Sequence, residues 1–105
     1  MTKLKDYTLV YSITSIPHIL FSNMTPADEP LSFDPEKFYI PQELKSTASS
    51  LIEVRVYLFK PDGILQEMTN NMLPSSEGIV CQTAALSGLK LAKKVLDQLP
   101  DQSDG

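Results

Sequence analysis

The stretch Glu77–Leu99, EGIVCQTAALSGLKLAKKVLDQL, decides the architecture of this chain of 105 residues. At about 100° per residue, one half of the helical wheel collects Val80, Cys81, Ala84, Ala85, Leu89, Leu91, Ala92, Val95, Leu96 and Leu99. Gln82, Thr83, Ser87, Lys90, Lys93, Lys94 and Asp97 fall on the other half. This pattern predicts an amphipathic helix with an apolar face wide enough to cover a sheet. Ser75 and Ser76 offer hydroxyl N-caps, and Glu77 suits the positive end of the helix dipole. Lys93 and Lys94 lie toward the other end, and Pro100 forbids continuation.

Two residues break the helical pattern. Gly88 sits on the apolar half, where alanine would favour the helix by about 1 kcal/mol. A glycine there predicts close approach to another backbone, that of the sheet or of a second copy of the helix. Leu86 stands among polar residues with Ile79 earlier on the same side. It reads either as a solitary exposed leucine or as an anchor for a protein partner.

Outward from the helix, Leu51–Lys60 (LIEVRVYLFK) is the clearest strand. Ile52, Val54, Val56 and Leu58 form one apolar face, and Glu53, Arg55, Tyr57 and Phe59 the other. Lys60-Pro61-Asp62-Gly63 reads as a turn, with Ile64–Thr69 returning as the hairpin partner. Asn70–Pro74 reads as a lead into the helix cap. Near the N-terminus, Tyr7–Thr14 alternates Tyr7, Leu9, Tyr11 and Ile13 against Thr8, Val10, Ser12 and Thr14, the mark of a half-buried strand.

Ser15-Ile16-Pro17 interrupts that strand, and His18–Asn23 resumes it, either as a hairpin or as one kinked strand. Met24–Pro35 carries three prolines and reads as a loop, functional or mobile. Lys37–Ile40 suggests a brief strand, Pro41–Lys45 a helical turn with proline at its first position, and Ser46–Ser50 a connector. The expected fold is α+β: one domain over residues 1–100, with a small antiparallel sheet of three to five strands packed on one long C-terminal helix, and an acidic tail at 101–105.

Composition narrows the function classes. A net charge of −4 and no basic cluster beyond Lys93-Lys94 argue against a phosphate-backbone partner. No apolar run reaches the length of a signal peptide or a membrane span, and a single cysteine forbids an internal disulfide. A cytoplasmic protein that binds neither nucleic acid nor membrane is expected.

Catalytic and ligand-binding chemistry fares no better. His18 and Cys81 are each the only residue of their kind, leaving no zinc spacing and no cofactor motif. A Cys81–His18 nucleophile pair is outweighed by Cys81 lying within the apolar stripe, where cysteine is a small buried hydrophobe. Ser75-Ser76-Glu77-Gly78 resembles an anion-binding helix entry but lacks a lysine, so a cap is the better reading. Asp28, Glu29 and Asp34 fit no calcium loop and read as a solvated acidic segment. Glu53 and Arg55 suit cross-strand ionic partners.

No catalytic residue is therefore assigned. The leading expectation is a non-enzymatic interaction module (adaptor, chaperone-like, inhibitor or immunity-type) that works through its surface, either alone or as a homo-oligomer such as a homodimer. Its candidate contact residues are Leu86, Ile79, Tyr57, Phe59 and Arg55. An alternative is a small-ligand domain or minor enzyme with a pocket between the sheet and residues 24–35, polar contacts coming from Tyr7, Tyr11, Tyr39, Tyr57 and Arg55. A third is a structural subunit of a larger particle.

Overall fold

The computed structural model describes residues 2–15, 18–45 and 51–100. Its elements are β1 (Thr8–Ser15), β2 (His18–Pro26), a short helix α1 (Gln42–Lys45), β3 (Leu51–Phe59), β4 (Leu65–Pro74) and α2 (Glu77–Gln98). A single 3₁₀ turn, Leu4–Asp6, precedes β1. The four strands form one antiparallel sheet in the order β2-β1-β3-β4, with α2 packed across one face. The expected α+β architecture, a sheet on a long C-terminal helix, is the observed one.

Alternation along β1 and β3 builds the core. Leu9, Tyr11 and Ile13 point to the helix side together with Ile52, Val54, Val56 and Leu58, and all are fully buried. Against them α2 sets Val80, Cys81, Ala84, Leu91, Ala92 and Val95. Burying a side chain of this size contributes about 1.5–3 kcal/mol, so this one interface carries most of the driving force for folding.

The helical wheel is corrected at three positions. Ser87, placed on the polar half, is buried, whereas Leu89 and Leu96, placed on the apolar half, are 52% and 42% exposed. Volume explains the difference. The bulky Tyr11 ring stands under the helix, which meets the sheet along its small residues Ala84, Ser87, Gly88 and Ala92. Leu89 and Leu96 are thereby turned outward, while Leu91 stays in the core. Gly88 owes its place to the Tyr11 side chain beneath it, not to another backbone.

The strand boundaries also move. β1 and β2 pair antiparallel from Ser15 opposite His18, so they form a hairpin; residues 16 and 17 themselves lie outside the described residues. β2 continues through Pro26, three residues into the segment read as loop, because Met24, Thr25 and Pro26 pair with Val10, Leu9 and Thr8. β4 likewise continues through Asn70–Pro74, where the lead into the cap was expected. The ladder to β3 extends to Leu51 opposite Pro74, and it overrides the poor strand propensity of the two asparagines.

Residues 27–45 fold over the helix side of the sheet beside α2. Ala27, Phe38 and Ile40 are buried, and Leu31 and Phe33 pack on the same core. Edge-to-face rings run from Tyr11 through Phe33 to Phe21 and Phe38, with centroids 5.5, 5.2 and 6.5 Å apart. This segment is part of the core. Asp28, Glu29 and Asp34 remain on its exposed side.

Lys37–Ile40 forms no strand: Phe38 and Ile40 turn inward as in one, but the Ile40 N–H is taken by the Glu77 carboxylate at 3.2 Å. Pro41 stands one place before α1, its carbonyl accepting the Lys45 N–H at 3.2 Å. The connector at 46–50 and the tail at 101–105 lie outside the described residues.

The ends of α2 are held differently from expectation. Ser76 is the N-cap by backbone geometry, its carbonyl accepting from Val80 N–H at 2.9 Å, but its hydroxyl makes no cap bond. The Ser75 hydroxyl donates instead to the Leu44 carbonyl at 3.5 Å. Gly78 and Ile79 are exposed at this end. Near the other end Lys94 crosses to Glu67 of β4 at 2.6 Å.

Candidate interaction surface

While α2 and residues 27–45 cover one face of the sheet, no segment among the described residues covers the other. The ladders arrange its side chains in rows across all four strands. One row reads Met24, Val10, Tyr57, Met68, and the next Pro26, Thr8, Phe59, Leu65. Tyr57 and Phe59, two apart on β3, stack with centroids 6.3 Å apart. The three methionines after Met1, namely Met24, Met68 and Met72, are all on this face, exposed by 70%, 38% and 54%. An open groove of about 550 Å³ runs along the first two rows at the end nearest the β3–β4 turn, with Asp6 and Lys60 at its rim.

A polar row, Ser22, Ser12, Arg55 and Asn70, bounds this apolar region, and beyond it the row Ile19, Thr14, Glu53 and Met72 is apolar only at its two ends. Arg55 donates through Nη1 to the Tyr57 hydroxyl at 3.3 Å and through Nη2 to Glu53 Oε2 at 3.0 Å. Asn70 Nδ2 donates to the same carboxylate oxygen at 3.2 Å. The bonds to Tyr57 and Glu53 hold the guanidinium even above its usual high pKa. Glu53 and Arg55 thus pair with each other along one strand, where cross-strand ionic partners were expected. The period-two alternation of the strand puts side chains two apart on one face, close enough to meet.

The sequence-derived residues fall into two groups. Tyr57, Phe59 and Arg55 come together on the open sheet face. Leu86 and Ile79 come together on the outer side of α2, exposed by 47% and 46%. The two groups lie on opposite sides of the two-layer molecule.

Sequence reasoning missed Met24, Met68, Met72 and Leu65 on the first surface and Leu89 and Leu96 on the second. Carrying the period of two past Thr69 would have found Met72, since Asn71 and Leu73 turn inward around it. The seven-residue step from Leu89 to Leu96 was the signal for the helix.

The pocket expected between the sheet and residues 24–35 has a counterpart, a hollow of about 500 Å³ lined by Phe21, Asn23, Phe33, Asp34 and Lys37, among others. None of Tyr7, Tyr11, Tyr39, Tyr57 and Arg55 lines it. Tyr11 is buried, its hydroxyl accepting the Leu31 N–H at 3.3 Å, and Tyr39 is 76% exposed elsewhere.

Cys81 is buried in the core with Ile13, Val54 and Val80; burial, with Glu77 and Asp34 nearby, pushes its thiol up. That is the reverse of an activated thiolate. Among the described residues no three His, Cys, Asp or Glu side chains gather as a metal site, and no helix is long and apolar enough to cross a membrane.

No family model matches the chain, and neither a curated protein nor a solved structure matches it.

Proposed function

We propose that the chain is a non-enzymatic, cytoplasmic protein-interaction module that receives an apolar surface of a protein partner on the open face of its sheet. The observation that carries this reading is the placement of Tyr57, Phe59 and all three internal methionines on the sheet face that no described segment covers. Methionine is flexible and polarizable, so a methionine-rich surface adapts to the shape of what it binds. Stacked aromatics supply rigid anchors, and a central arginine fixes orientation.

Size supports the reading too. Strands of eight to ten residues, about 30 Å long and about 4.8 Å apart, make a face of roughly 570 Å². The two apolar rows nearest the β3–β4 turn occupy only part of it, a patch of the few-hundred-Å² size that is often functional on a monomer. The net charge of −4 disfavours nucleic acid as the partner.

Photo-reactive side chains placed singly at Met24 and Met68, in cells that make the protein at its normal level, test the reading. The expected result is the same cross-linked protein from both positions, lost when Tyr57→Asp is added. Absence of any cross-linked protein at both positions sinks the reading.

The groove of about 550 Å³ supports a second reading, a small amphipathic ligand, because its volume lies in the range of ligand sites. Native mass spectrometry of the purified chain separates the two. A bound small molecule displaced by Tyr57→Asp would favour the ligand.

A further inference from the structure

We propose that the outer side of α2 pairs two copies of this chain through an antiparallel helix–helix contact, with a twofold axis passing between Leu86 and Leu89. Ile79, Gln82, Leu86, Leu89, Lys93 and Leu96 follow one another at alternating steps of three and four residues along the helix. That is the spacing of a seam that stays on one side of a helix as it packs against another. All six are exposed, the four apolar ones by 46%, 47%, 52% and 42% in chain order. The buried side of the same helix is spent on the sheet, so the seam is a second, separate apolar stripe.

The order of residues in the seam names its occupant. It reads apolar, polar, apolar, apolar, polar, apolar from either end. A second copy running in the opposite direction therefore sets Ile79 against Leu96, Leu86 against Leu89, and Gln82 against Lys93. Each apolar side chain meets another, and the two polar ones meet as carbonyl acceptor and ammonium donor, so neither is left unpaired on desolvation. A parallel copy would bring Lys93 against Lys93. Opposed helix dipoles favour the antiparallel arrangement as well. At the flank Lys90 comes beside Thr83 of the second copy, with no like charge opposite it.

From Ile79 to Leu96 the seam is about 26 Å long, and two helices meeting over that length bury an area at the low end of specific interfaces, below about 1,200 Å². Pairing is therefore reversible and concentration-dependent. In the dimer the two open sheet faces point away from each other, both free.

Sedimentation velocity across a wide concentration range tests the pairing, using the full chain and variants at exposed positions, with far-UV circular dichroism confirming the fold. The wild type is expected to pass from monomer to dimer and stop there. Gln82→Lys, which sets lysine against Lys93, should weaken the dimer about tenfold. Gln82→Glu should tighten it, and the double variant Gln82→Lys/Lys93→Glu should restore it. Leu86→Asp should leave a folded monomer.

A wild type that stays monomeric throughout overturns the proposal, and so does growth beyond the dimer without limit. So does equal weakening by Gln82→Glu and Gln82→Lys, the signature of a parallel pair. Tyr57→Asp should leave the dimer intact; if it alone dissolves the dimer, the sheet face is the self-association surface and the helix is not.

Discussion

Gly88 of α2 faces the Tyr11 hydroxyl of β1 with no room for a side chain between them. A Cβ on the glycine would overlap the hydroxyl oxygen and lie 2.8 Å from Cζ. The ring cannot swing away cheaply, because it is fully buried and its oxygen accepts the Leu31 N–H. Burial dominates over that bond and pushes the phenol up, so it stays protonated across ordinary pH.

Gly88→Ala is accordingly expected to destabilise the chain by about 1–3 kcal/mol, as overpacked cores do, although alanine favours an isolated helix by about 1 kcal/mol. Tyr11→Phe alone should lose about 1 kcal/mol with its hydrogen bond. In the Tyr11→Phe background the alanine should do less harm, since the overlapping atom is gone. Urea unfolding of the four proteins measures the coupling. A stabilising Gly88→Ala would contradict the close approach.

The orientation of α2 predicts contrasting effects for two leucines five residues apart. Leu91→Ala should cost about 2–5 kcal/mol, because Leu91 is 1% exposed in the core. Leu86→Ala should change the stability of the monomer by no more than about 0.5 kcal/mol. Thermal melts at a concentration low enough to keep the chain monomeric check both. Comparable losses would mean that the helix is turned the other way.

Glu77 ties the start of α2 to the segment before β3. Lys45 Nζ lies 2.5 Å from its carboxylate, which also accepts the Ile40 N–H, and together these hold the carboxyl below the usual glutamate range. With a lower pKa in the folded chain, the unfolded chain takes up the proton first as pH falls. The stabilisation is therefore complete above the ordinary glutamate range and is lost as pH drops through the lowered folded value. Glu77→Gln keeps the acceptor for Ile40 and removes the charge. The stability gap between wild type and this variant should be present at neutral pH and close in acid. A gap unchanged on acidification would show that the charge plays no part.

The β3–β4 turn rests on Gly63, whose φ of +87° is in the left-handed region. Its N–H donates to the Lys60 carbonyl at 2.8 Å, and the Asp62 carboxylate accepts the Ile64 N–H at 3.0 Å. No neighbouring atom would touch an added Cβ, so the penalty is purely conformational. Gly63→Ala should destabilise by about 1 kcal/mol or more, and Gly63→Asn by less, since asparagine tolerates this region. Chemical denaturation of the two variants side by side tests the order.

What the amino-acid sequence determined by itself was every element whose signal is local. The period of 3.6 in Glu77–Leu99, the period of two in Leu51–Lys60 and Tyr7–Thr14, and the Pro-Asp-Gly turn each follow from the residues within one segment. They were enough for a sheet on a helix and for naming Tyr57, Phe59, Arg55, Leu86 and Ile79 as candidate contact residues, of which the three on β3 are half-buried and the two on α2 exposed.

Tertiary structure decided what depends on a partner segment. β4 runs to Pro74 and β2 to Pro26 because β3 and β1 are there to pair with them, whatever asparagine and proline prefer alone. The helix buries Ser87 and exposes Leu89 and Leu96 because Tyr11 occupies the space beneath it. A helical wheel measures hydrophobicity around an axis, whereas packing selects the side of the helix whose volume fits the sheet. The same selection left two apolar surfaces outside, one on each side of the molecule.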